Sequence, residues 1–552
     1  MVIRNNTTIT RAICILMCLG GSLAITTGAV AEERKFKSPF PEDWSLSVSG
    51  YTRVYAGMLL EDQQETKADD QFDLNMLRAS VYLDFDASTG PLNWKLVTRF
   101  DKEHHTNYSE NLEALTLAQS PGGSATRNHY LDQYQTDNLN EFFREYYVDF
   151  SPIDRINMRI GKQQLVWGQS DFFQAMDLIH GFDFRWRLFF ENNEDWRKPL
   201  FLINADIDIP ELGGSLNVFV RPGLDREEDI GNYFNIEGGR WIPTPYRGVD
   251  FTAFTDYNAD NNDEGDESDP TYGARWNSNI GSWGYSLAYL KVFNPSPIMN
   301  PAVNDPSGFL AAFGVPQGTM RSHGSLAENQ VLGDWTFPLI NVFGITTNGY
   351  IAGIDSTFSA EVTFTPNKPY NYGALGSVLP GWQGVREKDT ISVMLRLDKE
   401  LKLMKYLHTH RPSLSSVQLF DTWILDYEND EDIVEFGSFG SKKKEHTVYL
   451  TMFTLMNFKR DTINPSFVIG TDLSNGGGFA IPAVEFVFGD KWRVKAEANL
   501  WWHTGDKKEV TGRTVPGGTA HANPLGINEN SAALFDWFGD DNQLVLKITR
   551  QF

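Results

Sequence analysis

The chain has 552 residues, with 48 basic and 72 acidic side chains and a net charge of −24. A balance this acidic excludes a nucleic-acid binder, because phosphates demand a basic face. Phe, Tyr and Trp make up 13% of the residues, far too many for a solvated, disordered chain.

The first 31 residues read as a signal peptide. Arg4 and Arg11 form a positive start, residues 12–25 (AICILMCLGGSLAI) an apolar stretch, and Ala29-Val30-Ala31 a small-residue cleavage site. The stretch is too short and too interrupted by glycine to anchor a helix in a membrane. Cys14 and Cys18, the only cysteines, lie inside it, and neither Ile13 nor Met17 suits a lipobox. Cleavage would therefore remove disulfides, thiolate metal sites and cysteine nucleophiles together. Loss of Arg4 and Arg11 takes the net charge from −24 to −26. Residues 32–44 are expected to be a short periplasmic lead-in to a barrel over 45–552.

No later stretch holds 18 consecutive apolar residues, which leaves a β-barrel as the membrane option. Period-2 alternation carries that reading. In chain order, alternating segments fall at 45–59, 72–87, 91–103, 140–151, 155–166, 199–209, 212–221, 271–280 and 282–293. They continue at 331–347, 356–365, 388–398, 415–427, 446–459, 462–472, 478–488, 491–503 and 541–552. Boundary errors of a few residues are expected, so the spacing predicts 16–18 strands of an antiparallel up-and-down transmembrane barrel.

Within 76–86, Leu77, Ala79, Val81, Leu83 and Phe85 share one face, and Arg78, Ser80, Tyr82, Asp84 and Asp86 the other. Residues 92–101 set Leu92, Trp94, Leu96 and Phe100 against Lys95, Arg99 and Asp101. In 491–503 the apolar face begins and ends in Trp492 and Trp502, opposite Arg493, Lys495 and Glu497. Both signs of charge on one wall suit a water-filled lumen inside a lipid-facing cylinder. Tight turns at 88–91, 152–154, 211–214 and 488–490 alternate with long polar connections at 104–139, 222–270, 294–330, 366–387 and 504–540. This is the asymmetry of short periplasmic turns and long extracellular loops. The final strand places Leu544, Leu546, Ile548 and Phe552 on one face, with Arg550 as the exception.

After the fifth segment the alternation breaks at Gly168. Ser170 could cap a short helix over 171–180 that Gly181 stops, although a helix of this length is marginal alone. We expect it to fold inward, because irregular backbone at membrane depth must line a cavity. The plug-like segment is expected around 167–198. The expected constriction and pore-lining residues are Arg78, Asp84, Lys95, Arg99, Arg159, Gln163, Trp167, Gln169, Asp171, Asp177, Arg185, Arg187, Arg493, Lys495 and Glu497.

The run RIGKQQLVWGQSD (159–171), followed by Asp177 and Asp183, resembles the DUF 1302 family of large Gram-negative outer-membrane proteins. GYIAGIDSTFSAEVTFTPNKPY (349–370) and INPSFVIGTDLSNGGGFAIPAVEFVFGDKWRVKA (463–496) fit as well. The terminal Phe552 on an alternating strand resembles the C-terminal signal of proteins that the barrel assembly machinery inserts, and the expected surroundings are outer-membrane lipid and lipopolysaccharide. By association the family resemblance implies periplasmic lipoprotein-carrier and efflux-type partners, and lipid, steroid or aromatic cargo.

In 256–267, Asp256, Asn258, Asp260, Asn262, Glu264 and Glu267 fall at the relative spacing of a calcium loop, against the plainer reading of a solvated acidic tip. No Ser/His/Asp set assembles, and His323 with Ser325 is too little for hydrolysis. The expected function is a channel or conduit for small solutes, hydrophobic compounds among them, and not an enzyme. A general hydrophilic porin, a scaffold barrel docking another envelope protein and, last, an outer-membrane enzyme are the alternatives.

Overall fold

The computed structural model describes residues 44–63, 66, 68–119, 133–187, 191–226, 229–234, 240, 268–299, 335–372, 384–431, 433–435, 441–504, 535, 538 and 541–552. Its strands are β1 (Trp44–Leu59), β2 (Leu74–Thr89), β3 (Leu92–Glu103), β4 (Phe143–Ile153), β5 (Ile156–Gln163), β6 (Leu200–Ile209) and β7 (Gly214–Arg221). They continue as β8 (Thr271–Ile280), β9 (Trp283–Phe293), β10 (Ile298–Met299), β11 (Trp335–Thr336), β12 (Leu339–Ile351), β13 (Ser356–Tyr372), β14 (Gly384–Leu401) and β15 (Ser413–Ile424). Last come β16 (Ile433–Glu435), β17 (Ser441–Lys442), β18 (His446–Leu455), β19 (Ile463–Asp472), β20 (Gly478–Phe488), β21 (Trp492–Trp502) and β22 (Gln543–Gln551).

Eighteen strands form a closed, wholly antiparallel barrel. The pairs β10–β11 and β16–β17 are short pairings within the long connections. Each of the eighteen alternating segments corresponds to one wall strand. The largest boundary change is at β12, which begins at Leu339 and not at 331.

Closure joins β1 to β22, Tyr51 opposite Gln551 through Leu59 opposite Gln543. The seam ends where Phe552 and Gly50 exchange backbone hydrogen bonds of 3.0 and 3.1 Å. A Cβ at Gly50 would lie 2.2 Å from the Tyr82 carbonyl oxygen, so glycine is needed for β1 to approach β2. With no free edge, every wall strand can satisfy its backbone inside lipid.

The two faces separate as the alternation predicts. Leu46, Val48, Val54, Trp94, Ile345, Leu544 and Leu546 are exposed on the outer surface. Arg78, Ser80, Asp101, Glu497, Asn499 and Thr549 are buried on the inner one. Arg550 stands over the Trp492 ring at 5.8 Å, opposite it in the β21–β22 register. This exception to the apolar face therefore stacks on an aromatic at the short-turn end, where a long cationic side chain can reach water.

The predicted helix over 171–180 does not form; the whole stretch 164–180 is irregular. A short helix gains little from its own hydrogen bonds, and here the backbone amides find better acceptors on the opposite wall, described next. Among the described residues helices are confined to loops, the longest being α1 (Asn107–Gln119). Tyr108 and Leu112 of α1 pack with Tyr55, Leu59 and Met76 inside the long-loop end of the barrel.

Candidate functional site

The connection from β5 to β6 does not stay outside; it turns into the lumen and touches wall strands around most of the ring. Trp167 is its anchor. The indole is 2% exposed, packs edge-on to Phe219 at 5.3 Å, and donates through Nε1 to Asn217 Oδ1 at 2.9 Å. Leu200, Leu202, Leu290, Val292, Ile340 and Val342 complete this cluster. Gly168 then lets the chain fold back, since a Cβ there would meet the Cβ of Asp177 at 2.8 Å.

The tip of the segment reaches β13, β14 and β15. Glu361 on β13 accepts from two of its amides, Gln169 N through Oε1 and Met176 N through Oε2, the latter at 3.0 Å. Arg396 on β14 donates to the Gln169 carbonyl at 2.7 Å and pairs with Asp171 at 2.8 Å. Gln418 on β15 donates to Asp171 Oδ2 at 2.6 Å. These polar groups do for the irregular backbone what a helix would have done internally. Phe173 stacks on Tyr449 at 4.4 Å and meets Phe420 edge-on at 5.3 Å.

The returning limb crosses to the charged wall. Asp177 pairs with Arg197, and Arg185 grips Asp183 with two bonds of 2.9 Å. Arg187 lies between Glu191 and Glu497 of β21. Glu191 also receives Lys547 at 2.9 Å. Burial works against the Glu191 carboxylate, yet Lys547 and Arg187 beside it hold its pKa down at about 2. Asp195 meets Arg53 at 3.5 Å, and Arg99 reaches its carbonyl at 2.8 Å.

His180 closes the base of this segment. Its Nε2 accepts from Leu165 N at 2.8 Å, and Nδ1 donates to the Lys198 carbonyl at 2.9 Å. Burial, with the Arg197 guanidinium adding to it, depresses the imidazole pKa to about 3. The folded clasp is therefore neutral, whereas a released one takes up a proton near its ordinary pKa of about 6.5. Its contribution is complete above pH 6.5 and is lost as pH falls toward 3, by about 1.4 kcal/mol per pH unit. Proteolysis of the segment should accelerate between pH 6.5 and 4.5 in the wild type, and the His180→Ala variant should show no such acceleration. Equal pH dependence in the two proteins would remove His180 as its cause.

The predicted lining residues divide into three groups. Asp84, Lys95, Arg99, Arg159, Arg493 and Lys495 lie on wall strands, paired with neighbours. Lys95 holds Asp84 at 2.6 Å, Arg159 holds Asp149 at 2.6 Å, and Arg493 holds Glu485 at 3.2 Å. Gln169, Asp171, Asp177 and Arg185 belong to the inward segment. Gln163, Trp167, Arg187, Arg78 and Glu497 are almost wholly buried, as is Asp177 of the inward segment. Gln163 donates to the Leu202 carbonyl at 3.0 Å, Trp167 fills the apolar cluster, and the charged three are buried in ion pairs. Glu361, Arg396, Gln418 and His180 were not singled out from sequence. The available signal was Glu361 itself, a carboxylate on an inner face otherwise made of Ser359, Thr363 and Thr365. The calcium-spaced residues Asp256 to Glu267, with His323 and Ser325, lie outside the described residues.

Two chambers result. Toward the long-loop end, a cavity of about 210 Å³ is lined by Phe172, Phe173, Phe182, Phe184, Trp196, Phe234, Phe420 and Tyr449. Toward the short-turn end, about 420 Å³ is lined by Asp208, Arg275, Asn277, Ser286, Thr346 and Asn348. Arg275 joins the two levels by donating to the Trp167 carbonyl at 3.0 Å.

Solved structures similar in fold include OccAB1 of Acinetobacter baumannii, with TM-score 0.41, 9% identity, and coverage of 94% of this chain and 99% of that one. OpdK of Pseudomonas aeruginosa with vanillate gives TM-score 0.40, 8% identity, 93% and 99%. The outer-membrane channel DcaP of Acinetobacter baumannii gives 0.37, 9%, 94% and 99%. A comparison with curated proteins gives no match. The match that spans this chain is to the family described as "Protein of unknown function (DUF1302)", over residues 12–552, and the chain belongs to that family.

Proposed function

We propose that the protein is a passive conduit in the outer membrane of a Gram-negative envelope, passing small amphipathic solutes from an aromatic outer chamber to a polar inner one. The observation that carries this reading is the 164–199 connection. It crosses the lumen, is pinned to the far wall at Glu361, Arg396 and Gln418, and separates the two chambers. A barrel of this strand number encloses a wide aqueous interior unless something fills it, so the segment sets what passes. Chamber chemistry favours solutes with an apolar body and a polar end over fully hydrated ions: rings line the entrance, and amides, hydroxyls, Asp208 and Arg275 line the exit.

Planar-bilayer recording tests the reading. Purified protein should give discrete ohmic steps, smaller than those of a variant lacking residues 169–178. Silence from both proteins would leave a scaffold barrel as the better account.

A further inference from the structure

We propose that the aromatic chamber is a binding site for small apolar or aromatic monocarboxylates, with Lys368 as the ammonium that receives the carboxylate. The proposal rests on the conduit reading and names the solute class for it.

The argument begins with the strand. Along β13 the inward residues are Ser359, Glu361, Thr363 and Thr365, every second position. Continued without interruption, that parity would send Lys368 outward. The β13–β14 register shifts between Thr365 and Lys368, so that Thr365 faces Thr390 while Lys368 faces Lys388. Asn367 takes the left-handed conformation, φ 50°, at this irregularity, and its amide is held by Asp389 at 2.9 Å. A bulge of this kind re-aims side chains, and here it brings Lys368 to the chamber wall.

Among the described residues, the charges facing the chamber are two lysines and two carboxylates. Each carboxylate is engaged through its Oδ2, Asp177 by Arg197 and Asp421 by His446 at 2.9 Å. Lys443 is the second lysine, and its backbone carbonyl accepts from the Tyr427 hydroxyl at 2.7 Å. The neighbouring Lys388 is neutralised by Glu431 at 2.7 Å. Lys368 has no carboxylate partner among the described residues; its ammonium stands 5.3 Å from the Tyr370 ring.

The apolar part of the site has two aromatic sides. Phe173 with Phe420 and Tyr449 forms one, and Phe184 with Phe182 and Trp196 the other. Trp196 is 4% exposed, and its indole N–H has no acceptor among the described residues, which leaves a second donor at the chamber. Rings on both sides suit a flat apolar body, and a cation at the edge suits one negative charge.

Binding of 2-naphthoate to the detergent-solubilised full chain, followed by tryptophan fluorescence, tests this. The neutral 2-naphthalenemethanol serves as the matched probe. Wild type should bind the acid more tightly than the alcohol. Lys368→Gln should weaken the acid about tenfold or more while leaving the alcohol unchanged, and Lys368→Arg should restore it. Phe420→Ala should weaken both probes. Acid and alcohol binding equally to wild type, or Lys368→Gln binding the acid as wild type does, would overturn the proposal. Bilayer currents from wild type are read separately, so loss of the conduit reading and loss of this site give different results.

Discussion

Replacing Glu361 by alanine is expected to open the lumen. Two backbone amides, those of Gln169 and Met176, end on this one carboxylate, and together they fix the middle of the crossing segment to β13. Charge-assisted hydrogen bonds to a buried carboxylate are worth roughly 1.5–3 kcal/mol each. Losing both should raise the population of the displaced segment by about a hundredfold or more. Single-channel recordings of Glu361→Ala should therefore spend far more time at a larger conductance than wild type. Glu361→Gln keeps one carbonyl oxygen and should fall between them. Traces of the alanine variant that superimpose on wild type would mean that Arg396, Gln418 and the Phe173 cluster hold the segment without it.

A second large effect is expected at Arg78, in stability and not in conductance. Its guanidinium pairs with Asp101 at 2.7 Å and Glu103 at 3.1 Å, and it lies 4.4 Å from the Trp186 ring. All of these partners are buried. Removing one member of a buried ion cluster leaves uncompensated charge and costs about 3–5 kcal/mol. Arg155 and Glu211 are the contrast: they are 2.7 Å apart, with side chains more than half exposed, and water screens such a pair so that it adds little to stability. Urea unfolding in lipid vesicles should show a markedly lower midpoint for Arg78→Ala and almost none of that shift for Arg155→Ala. Similar midpoints for the two variants would show that the Asp101–Glu103 site relaxes or admits water when Arg78 is gone.

The wall of the barrel was legible because its chemistry is local. Leu77, Ala79, Val81, Leu83 and Phe85 face lipid for the same reason that they alternate with Arg78 and Ser80: a pleated strand offers two faces to two solvents. The inward turn after β5 was legible as well, from Trp167-Gly168 and the loss of period. Its conformation was not. Ser170 and the acids after it look like a helix start, but the acceptors that decide the matter are about 190 and 250 residues away, on Glu361 and Gln418. A periodicity argument sees only neighbours. The partners of Trp167 and Arg187 were hidden for the same reason: both side chains are packed by residues on distant strands, Phe219 and Glu497. Lys368 was obscured by the bulge, which reverses the parity on which the inward set was read.

The His180 clasp has a mechanical consequence. By tying Leu165 to Lys198 at the root, it makes the excursion a stiff-footed flap rather than a slack rope. Such a flap has few resting positions, because its attachments at the rim let go together or hold together. Current through it should switch in telegraph-like steps between fixed levels, with little drift between them.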